Sequence, residues 1–293
     1  MNSWISWASS IQLAGRGAVV ELGPMRLNLI AERGGRPHLK AALRAAERAV
    51  QALCEVSACW GRLKKPALEV EAEGLPHVAR LMVEACKATG DPTLTPMAAV
   101  AGAISDVAAE EAWRLGAEKV VAENRGDIAL KLSRGLSATI GVKASIQAEK
   151  HGFTIRVDGG SGVGGVATSG LGGMGLTKGF ASAAVALAST GALADACSTI
   201  LGNATTASGA PVEWRLAEEV DPLTDLRGQP VTYRVGSLPE RVKIEAVRNG
   251  VRKVWELRRK GLLHGGIIVV GEFYALSPEN IAKVEDENLR RVA

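Results

Sequence analysis

The segment from Gly159 to Thr199 constrains the fold more than any other part of this chain. Nine glycines lie between Gly159 and Gly175. Glycine has no Cβ and adopts positive φ at little steric cost, so this run predicts loops whose backbone approaches a ligand or a neighbouring segment closely. Asp195 and Thr199 follow, four residues apart. The combination predicts a site for a phosphate-bearing cofactor and a metal ion.

The remaining apolar patterns alternate between strand and helix periods. Apolar and β-branched runs predict two short strands within 18–31 and further strands at 119–122, 128–132, 137–142, 153–157, 182–188, 212–216, 231–235 and 265–270. Helical spacing predicts helices at 37–60, 76–87, 97–109, 192–201 and 240–260, and the charged tail from Pro278 is also predicted to be helical. The order predicts an α/β protein of the α+β type.

The size of the chain allows a substantial core. Its 293 residues are 47% hydrophobic, which favours a single domain, 1–293, made of two intimate halves at about 18–205 and 206–293. The second half is expected to be a strand-helix-strand extension.

Charge and hydropathy exclude several classes of partner. The formal net charge is +4, but no basic run is interleaved with aromatic residues, so no nucleic-acid partner is expected. No apolar run approaches the roughly 20 residues that span a bilayer, so no membrane partner is expected. Residues 1–12 lack the features of an export signal. We expect a cytoplasmic protein with a small-molecule or nucleotide ligand, and homo-oligomers are compatible with the sequence.

The cysteines show no paired Cys-x-x-Cys spacing, which argues against zinc or iron-sulfur ligation. Cys54 and Cys59 fall within a helical pattern and are predicted to be small buried hydrophobic residues.

The predicted helix at 97–109 consists almost entirely of small residues. Thr95 is predicted to be its N-cap, with Pro96 at the first helical position. Since no bulky side chains hold it away, the helix can pack very closely against a sheet or a ligand. A purely structural buried helix and a cofactor-contacting helix both remain open.

Asp195 and Thr199 lie at i and i+4, so a helix places them on one face. A carboxylate and a hydroxyl, completed by carbonyl, water or phosphate oxygens, suit Mg²⁺ better than zinc. The pair is therefore the candidate metal site, although such pairs also occur by chance.

Two further segments are candidate cofactor-binding sites. Thr168, Ser169 and Gly170 offer hydroxyls and consecutive backbone N–H groups of the kind that bind anions; a surface hairpin is the alternative. The turn Asn124, Arg125, Gly126 and Asp127 follows a predicted strand, at an end where ligands often bind; an ordinary turn is the alternative.

Taken together, these segments resemble a known family. Residues 97–104, 123–128, 167–170 and 194–199 follow the order seen in the uncharacterised ApbE-like family, which is related to the FAD:protein FMN transferases. The resemblance implies a T-fold-like, two-layer architecture with a flavin nucleotide, FAD or FMN, near the turn at Asn124. It also implies that Asp195 and Thr199 hold Mg²⁺.

The chain departs from the family pattern at two places. Leu171 to Gly179 replaces a segment that contains histidine in the transferases, and Arg125 replaces a glycine of the usual turn. Lys178 is the only new ionisable residue in the altered loop, so it is our candidate for a substrate or phosphate contact. Lys178 and Asp127 are the candidate catalytic residues.

Three functions follow as hypotheses. The first is a Mg²⁺-dependent enzyme that cleaves the FAD pyrophosphate and transfers FMN. The second is a flavin-dependent oxidoreductase or flavin-binding subunit that acts on a small heterocyclic substrate. The third is a flavin-free enzyme or binder that uses the same cleft.

Overall fold

The computed structural model describes residues 10–292, so most of the N-terminal segment considered for an export signal lies outside the described residues. The strands are β1 Ile11–Ala14, β2 Gly17–Leu22, β3 Met25–Arg33, β4 Arg36–Pro37, β5 Lys119–Asn124, β6 Asp127–Leu132, β7 Ser137–Val142, β8 Phe153–Asp158, β9 Gly165–Ser169, β10 Ala183–Ala188, β11 Val212–Leu216, β12 Pro230–Val235, β13 Gly265–Val270, β14 Phe273–Ser277, β15 Lys283–Val284 and β16 Arg290–Arg291. The α-helices are α1 Leu39–Ala58, α2 Trp60–Leu63, α3 His77–Thr89, α4 Val100–Arg114, α5 Gly191–Ala204, α6 Ala217–Val220 and α7 Glu240–Arg259, with short 3₁₀ helices at Ala67–Glu69 and Pro96–Ala99. The α+β prediction is confirmed.

The chain divides into two compact units. The first runs to Ala138 and also takes in Val157–Ala167 and Ala188–Asp195. The second comprises Thr139–Arg156, Thr168–Leu187 and the chain from Ala196 onward. Each unit is therefore assembled from segments that are distant in the sequence.

The first unit contains an antiparallel sheet covered by α1 and α4. Its strands follow the order β1, β2, β3, β5, β6, and β6 continues to pair with the beginning of β9. On β3 the side chains alternate between a buried and an exposed face, as the two-residue period of a strand requires. The alanine-rich face of α1 is buried and packs against α4, β2 and β3. Small side chains let these layers approach closely.

The second unit contains further paired strands and the helix α7. β10, β13 and β14 pair antiparallel, and β16 adds to β14 in parallel. α7 packs on β13 and β14. A Cβ added at Gly250 of α7 would lie 2.9 Å from Ile268 Cγ2, so this glycine sets the close approach of helix and strand. α7 ends before Gly261, which has φ +74° and closes the helix as its position predicted.

Two local predictions are wrong, that of a helical tail and that of buried Cys54 and Cys59. The tail beyond Pro278 is not helical but forms β15 and β16, because it lacks an apolar face at helical period and its backbone pairs instead with β8 and β14. Thr95 is at the N-cap and Pro96 at the first position of the 3₁₀ helix Pro96–Ala99 that leads into α4, as predicted, although the Thr95 side chain makes no capping hydrogen bond. Cys54 is exposed and Cys59 half-buried, since the buried face of α1 is formed by its alanines.

Among the helices of residues 10–292, none combines the length and the apolar composition that a transmembrane span needs.

Candidate functional site

In the first unit, α4 meets the first residues of α5 at a pair of glycines. A Cβ added at Gly102 of α4 would lie 2.2 Å from the carbonyl oxygen of Gly191, at the start of α5. Real Cβ atoms do not approach carbonyl oxygens this closely, so the crossing requires glycine at position 102. Gly102, one of the small residues noted in the sequence, therefore serves this helix crossing.

Each helix supplies a carboxylate to the N-terminus of the other. Asp195 Oδ2 accepts a hydrogen bond from Gly102 N at 2.9 Å, and the N–H of Ala101 also donates to this carboxylate. In return, Asp106 of α4 accepts from Gly191 N and Ala192 N, both at 2.8 Å. The first N–H groups of a helix have no partner within the helix, so each carboxylate satisfies donors that would otherwise be buried without acceptors.

Burial shifts the ionisation of both carboxyl groups. Desolvation raises the pKa of Asp195 to about 7, although the N–H groups of Gly102 and Ala101 oppose the shift. Desolvation likewise raises the pKa of Asp106 to about 6 against the N–H groups of Ala192 and Gly191. The charge of Asp106 also repels that of Asp195 and contributes to the rise in the pKa of Asp195.

A small cleft of about 60 Å³ adjoins Asp106. Glu110 and Lys131 line it, and their charges act on the pKa of Asp106 in opposite directions. The backbone of the cleft wall is close-packed, because a Cβ at Gly164 would lie 2.2 Å from Ser189 O. This glycine of the dense segment therefore permits close packing. The cleft has room for little more than a water molecule or two.

Asp195 and Thr199 lie on α5, four residues apart, as predicted. Asp195 belongs to the first unit and is buried, whereas Thr199 is half-buried in the second. Within residues 10–292, no group of three or more His, Cys, Asp or Glu side chains could hold a metal ion. The structure thus shows a helix-capping role for Asp195 that the sequence pattern did not reveal.

The segment Asn124 to Asp127 is a tight hairpin turn between β5 and β6. Arg125 and Gly126 have φ of 55° and 102°, as a two-residue hairpin turn of the I′ type needs. Arg125 is the only non-glycine residue with positive φ among residues 10–292. Its Nε donates to Pro24 O at 2.8 Å, and the Oδ1 of buried Asn124 accepts from Arg26 N at 3.3 Å. Asp127 accepts a hydrogen bond from Ser105 Oγ through its carbonyl oxygen.

The second unit brings together the other candidate residues around Gly170–Gly179, which we call the glycine loop. Thr168 and Ser169 precede it at the end of β9. A Cβ at Gly202 of α5 would lie 3.5 Å from Ser169 Oγ and 3.7 Å from Thr177 Oγ1, so both hydroxyls face this glycine. Lys178 N donates to Asn203 Oδ1 at 2.9 Å. The resulting polar cluster is formed by Ser169, Thr177, Asn203 and the backbone of the loop.

Sequence reasoning missed several residues of these two arrangements. Asp106 was detectable as a lone acidic residue within a run of small apolar helix residues. Asn203 and Thr232 carry no comparable signal, because only the folded chain places them beside Thr177.

Comparisons with known proteins give the family. A profile of the family described as AbpE bacteria matches residues 11–281. The UPF0280 protein of Methanococcus aeolicus is 30% identical over 178 residues, covering 58% of this chain and 71% of the relative. UPF0280 protein Mbar_A3697 of Methanosarcina barkeri is 36% identical over 131 residues, covering 45% of this chain and 50% of the relative. The similarity to the latter thus spans about half of its length.

These matches correct the resemblance drawn from the motifs. The assignment to the ApbE-like family of the FAD:protein FMN transferases is wrong, because the matching family is AbpE bacteria and the relatives are UPF0280 proteins, a distinct family. Two of the motifs have local structural roles here, a hairpin turn at Arg125 and helix capping at Asp195. Short patterns with such roles can coincide between families.

Proposed function

We propose that this chain, which belongs to the family described as AbpE bacteria, binds a flavin nucleotide, FAD or FMN, by its phosphate at the glycine loop. The names of its UPF0280 relatives state no ligand. The proposal therefore rests on the chemistry of this loop and of the residues that surround it in the second unit.

The observation that carries the proposal is the combination of exposed backbone and clustered hydroxyls. Gly172, Gly173 and Gly175 are exposed. Within residues 10–292, the backbone N–H groups of Gly172, Met174 and Gly175 donate no hydrogen bond. Ser169 flanks the loop and Thr177 lies in it; their hydroxyls face Gly202, and that of Thr177 also donates to Asn203 Oδ1 at 3.5 Å. Consecutive N–H groups in a glycine-rich turn, with hydroxyl donors next to them, are suited to phosphate oxygens.

A buried hydroxyl beside the loop supports this fit. Thr232 N donates to Thr177 O at 2.8 Å, and Thr232 is only 8% exposed. Its Oγ1 has no hydrogen-bond partner in the part of the chain that the structure describes. A buried hydroxyl without a partner is energetically unfavourable, so an added acceptor or donor would be stabilising.

Lys178 is the residue that we propose as the phosphate contact. It lies within the glycine loop, and its backbone is fixed by the hydrogen bond to Asn203. An ammonium group at this position would neutralise phosphate charge and strengthen the hydrogen bonds of the loop. The bound flavin would supply redox chemistry, and the protein would orient it and exclude water.

Magnesium fits the described residues less well than the flavin phosphate. The Asp195 carboxylate already accepts two backbone N–H groups and is buried. Mg²⁺ usually keeps several water ligands, which a carboxylate in this position has little room to accommodate. Metal binding by Asp195 and Thr199, and with it cleavage of the FAD pyrophosphate, stays a prediction on which the flavin proposal does not depend.

The four cysteines are free thiols, which is typical of proteins in reducing compartments. A cytoplasmic location is therefore part of the proposal.

Titration of the purified chain with FMN and with FAD, followed by visible absorbance and flavin fluorescence, tests the proposal. We expect Lys178→Met to weaken FMN binding roughly 10-fold or more, as expected for loss of a charge-assisted hydrogen bond. Lys143→Met, which removes an exposed lysine outside the loop, is the matched control. Equal weakening by both variants, or no spectral change with either flavin, would overturn the proposal.

The same samples separate the remaining hypotheses. Release of AMP from FAD that requires added Mg²⁺ supports pyrophosphate cleavage. Retention of intact flavin that is reduced by an added electron donor supports the oxidoreductase. A thermal shift with another anionic metabolite, and none with FMN or FAD, selects the flavin-free binder.

A further inference from the structure

The second unit has a groove that shares no lining residue with the glycine loop. It lies between α7 and β14 together with the chain after β16, and its volume is about 840 Å³. Ile244 and Val251 of α7 and Leu276 of β14 supply apolar surface. Grooves of roughly 300 to 1,000 Å³ are the usual size of small-molecule sites.

Arginines dominate the charge of this groove. Arg241, Arg248 and Arg252 line it from α7, and Arg291 lines it from the other side. Positions 241, 248 and 252 are spaced by seven and four residues, so they lie along one face of the helix. The stripe extends about 16 Å at the helical rise of 1.5 Å per residue.

The glutamates in the groove leave part of this charge uncompensated. Glu279 pairs with Arg291 at 2.8 Å, and Glu245 lies on α7 between the arginines. The guanidinium groups of Arg241 and Arg248 make no ion pair or hydrogen bond within residues 10–292. An unpaired guanidinium presents a planar fork of donors that matches phosphate oxygens.

An aromatic ring lies at one end of the arginine stripe. Trp255 is on α7, just beyond Arg252, lines the same groove and is 52% exposed. An exposed indole face is a stacking surface for a planar heterocycle. Guanidinium groups and an indole in one groove thus match a ligand that has phosphates at one end and a ring at the other.

We propose that this groove binds a nucleoside di- or triphosphate, with its phosphates on Arg241 and Arg248 and its base against Trp255. The size of the groove and its single exposed ring favour a small nucleotide over an acidic peptide. The site does not depend on flavin binding at the glycine loop, because the two share no residue.

Titration of the full chain with ATP, AMP and inorganic triphosphate, followed by calorimetry, tests this site. We expect ATP and triphosphate to bind more tightly than AMP, and Arg248→Gln to weaken ATP binding roughly 10- to 100-fold. Trp255→Ala is expected to weaken ATP binding roughly 10-fold and to leave triphosphate binding unchanged. Arg259→Gln, which removes an exposed arginine of α7 outside the groove, is the matched control.

Cross-tests separate this site from the flavin site. Lys178→Met should leave ATP binding unchanged, and Arg248→Gln should leave FMN binding unchanged. The proposal is overturned if ATP does not bind at millimolar concentration, or if Arg259→Gln weakens binding as much as Arg248→Gln. It is also overturned if the groove serves another partner. That is the case if Arg248→Gln abolishes self-association or tight binding of a glutamate-rich peptide, and added ATP does not weaken that interaction.

Discussion

Asp106 and Asp195 show how the environment of a residue decides its role. Both are aspartates on helices of small residues, and either one could be taken for a ligand or an acid. Their oxygens are instead aligned with the N–H groups of the opposite helix. Favourable N–H contacts lower a carboxyl pKa, yet desolvation is the larger effect here and both pKa values rise.

This ionisation predicts a pH-dependent stability. Because both folded pKa values lie above that of an unfolded aspartate, the folded state binds more protons between about pH 4 and pH 7. The contribution of the pair to the free energy of unfolding is therefore full below about pH 4 and is lost as pH rises through 6 to 7. The asparagine of Asp195→Asn cannot titrate. We therefore expect the free energy of unfolding of the wild type, minus that of the variant, to fall by about 2 to 4 kcal/mol between pH 4.5 and pH 7.5.

Urea denaturation at both pH values measures this difference. Glu84→Gln, at an exposed position of α3, is the control and should give a difference that does not change with pH. A pH-independent difference for Asp195→Asn would show that the carboxyl is not the titrating group.

At the scale of elements, the crossing of α4 and α5 sets the geometry of the first unit. The contact is made by backbone, since Gly102 approaches the carbonyl of Gly191 more closely than any side chain would permit. The helices can then exchange carboxylate caps across the crossing. Packing and capping thus depend on the same small residues.

Replacing the crossing glycine tests this arrangement. Gly102→Ala should lower the free energy of unfolding by about 1 to 3 kcal/mol, because the added Cβ forces the helices apart. In an open helix the same change is usually stabilising by up to about 1 kcal/mol. Gly61→Ala is the control, since the added Cβ in α2 meets no atom within 4 Å apart from its chain neighbours and the backbone of its own helix. Similar denaturation midpoints for the two variants would contradict the close crossing.

At the scale of the whole molecule, each unit contains one buried thiol. Cys86 lies in the first unit and Cys197 in the second, and both are fully buried. Burial also raises the pKa of Cys197 to about 12, which suppresses the reactive thiolate. Cys54 is exposed on α1. The thiols therefore report on the opening of each unit.

We expect Cys54 to react first with a thiol reagent such as dithionitrobenzoate. Cys86 and Cys197 should react at least roughly 100-fold more slowly than Cys54 under native conditions, because the reagent reaches them only when the unit opens. Peptide mapping after timed labelling assigns each rate. Cys54→Ser should remove the fast phase, and rapid native labelling of Cys86 or Cys197 would contradict the described packing.

Local patterns in the sequence were sufficient to predict most of the longer helices and strands. Apolar periodicity placed α1, α7 and β13, and turn chemistry placed the hairpin at Gly126, because these depend on residues that are near neighbours in the chain. The prediction of a helix after Pro278 was wrong, because the strands of this tail form only by pairing with the hydrogen-bonding edges of β8 and β14.

The sequence by itself determined most of the longer helices and strands, the α+β class and the presence of a glycine-rich segment with hydroxyl residues beside it. Only the tertiary structure decided what the polar residues do. Asp195 meets Gly102 across 93 residues of chain, Thr232 reaches the loop at Thr177, and the arginines of α7 face Arg291. Such partners come together through the packing of segments that are distant in the sequence. A local pattern of side chains does not predict these contacts.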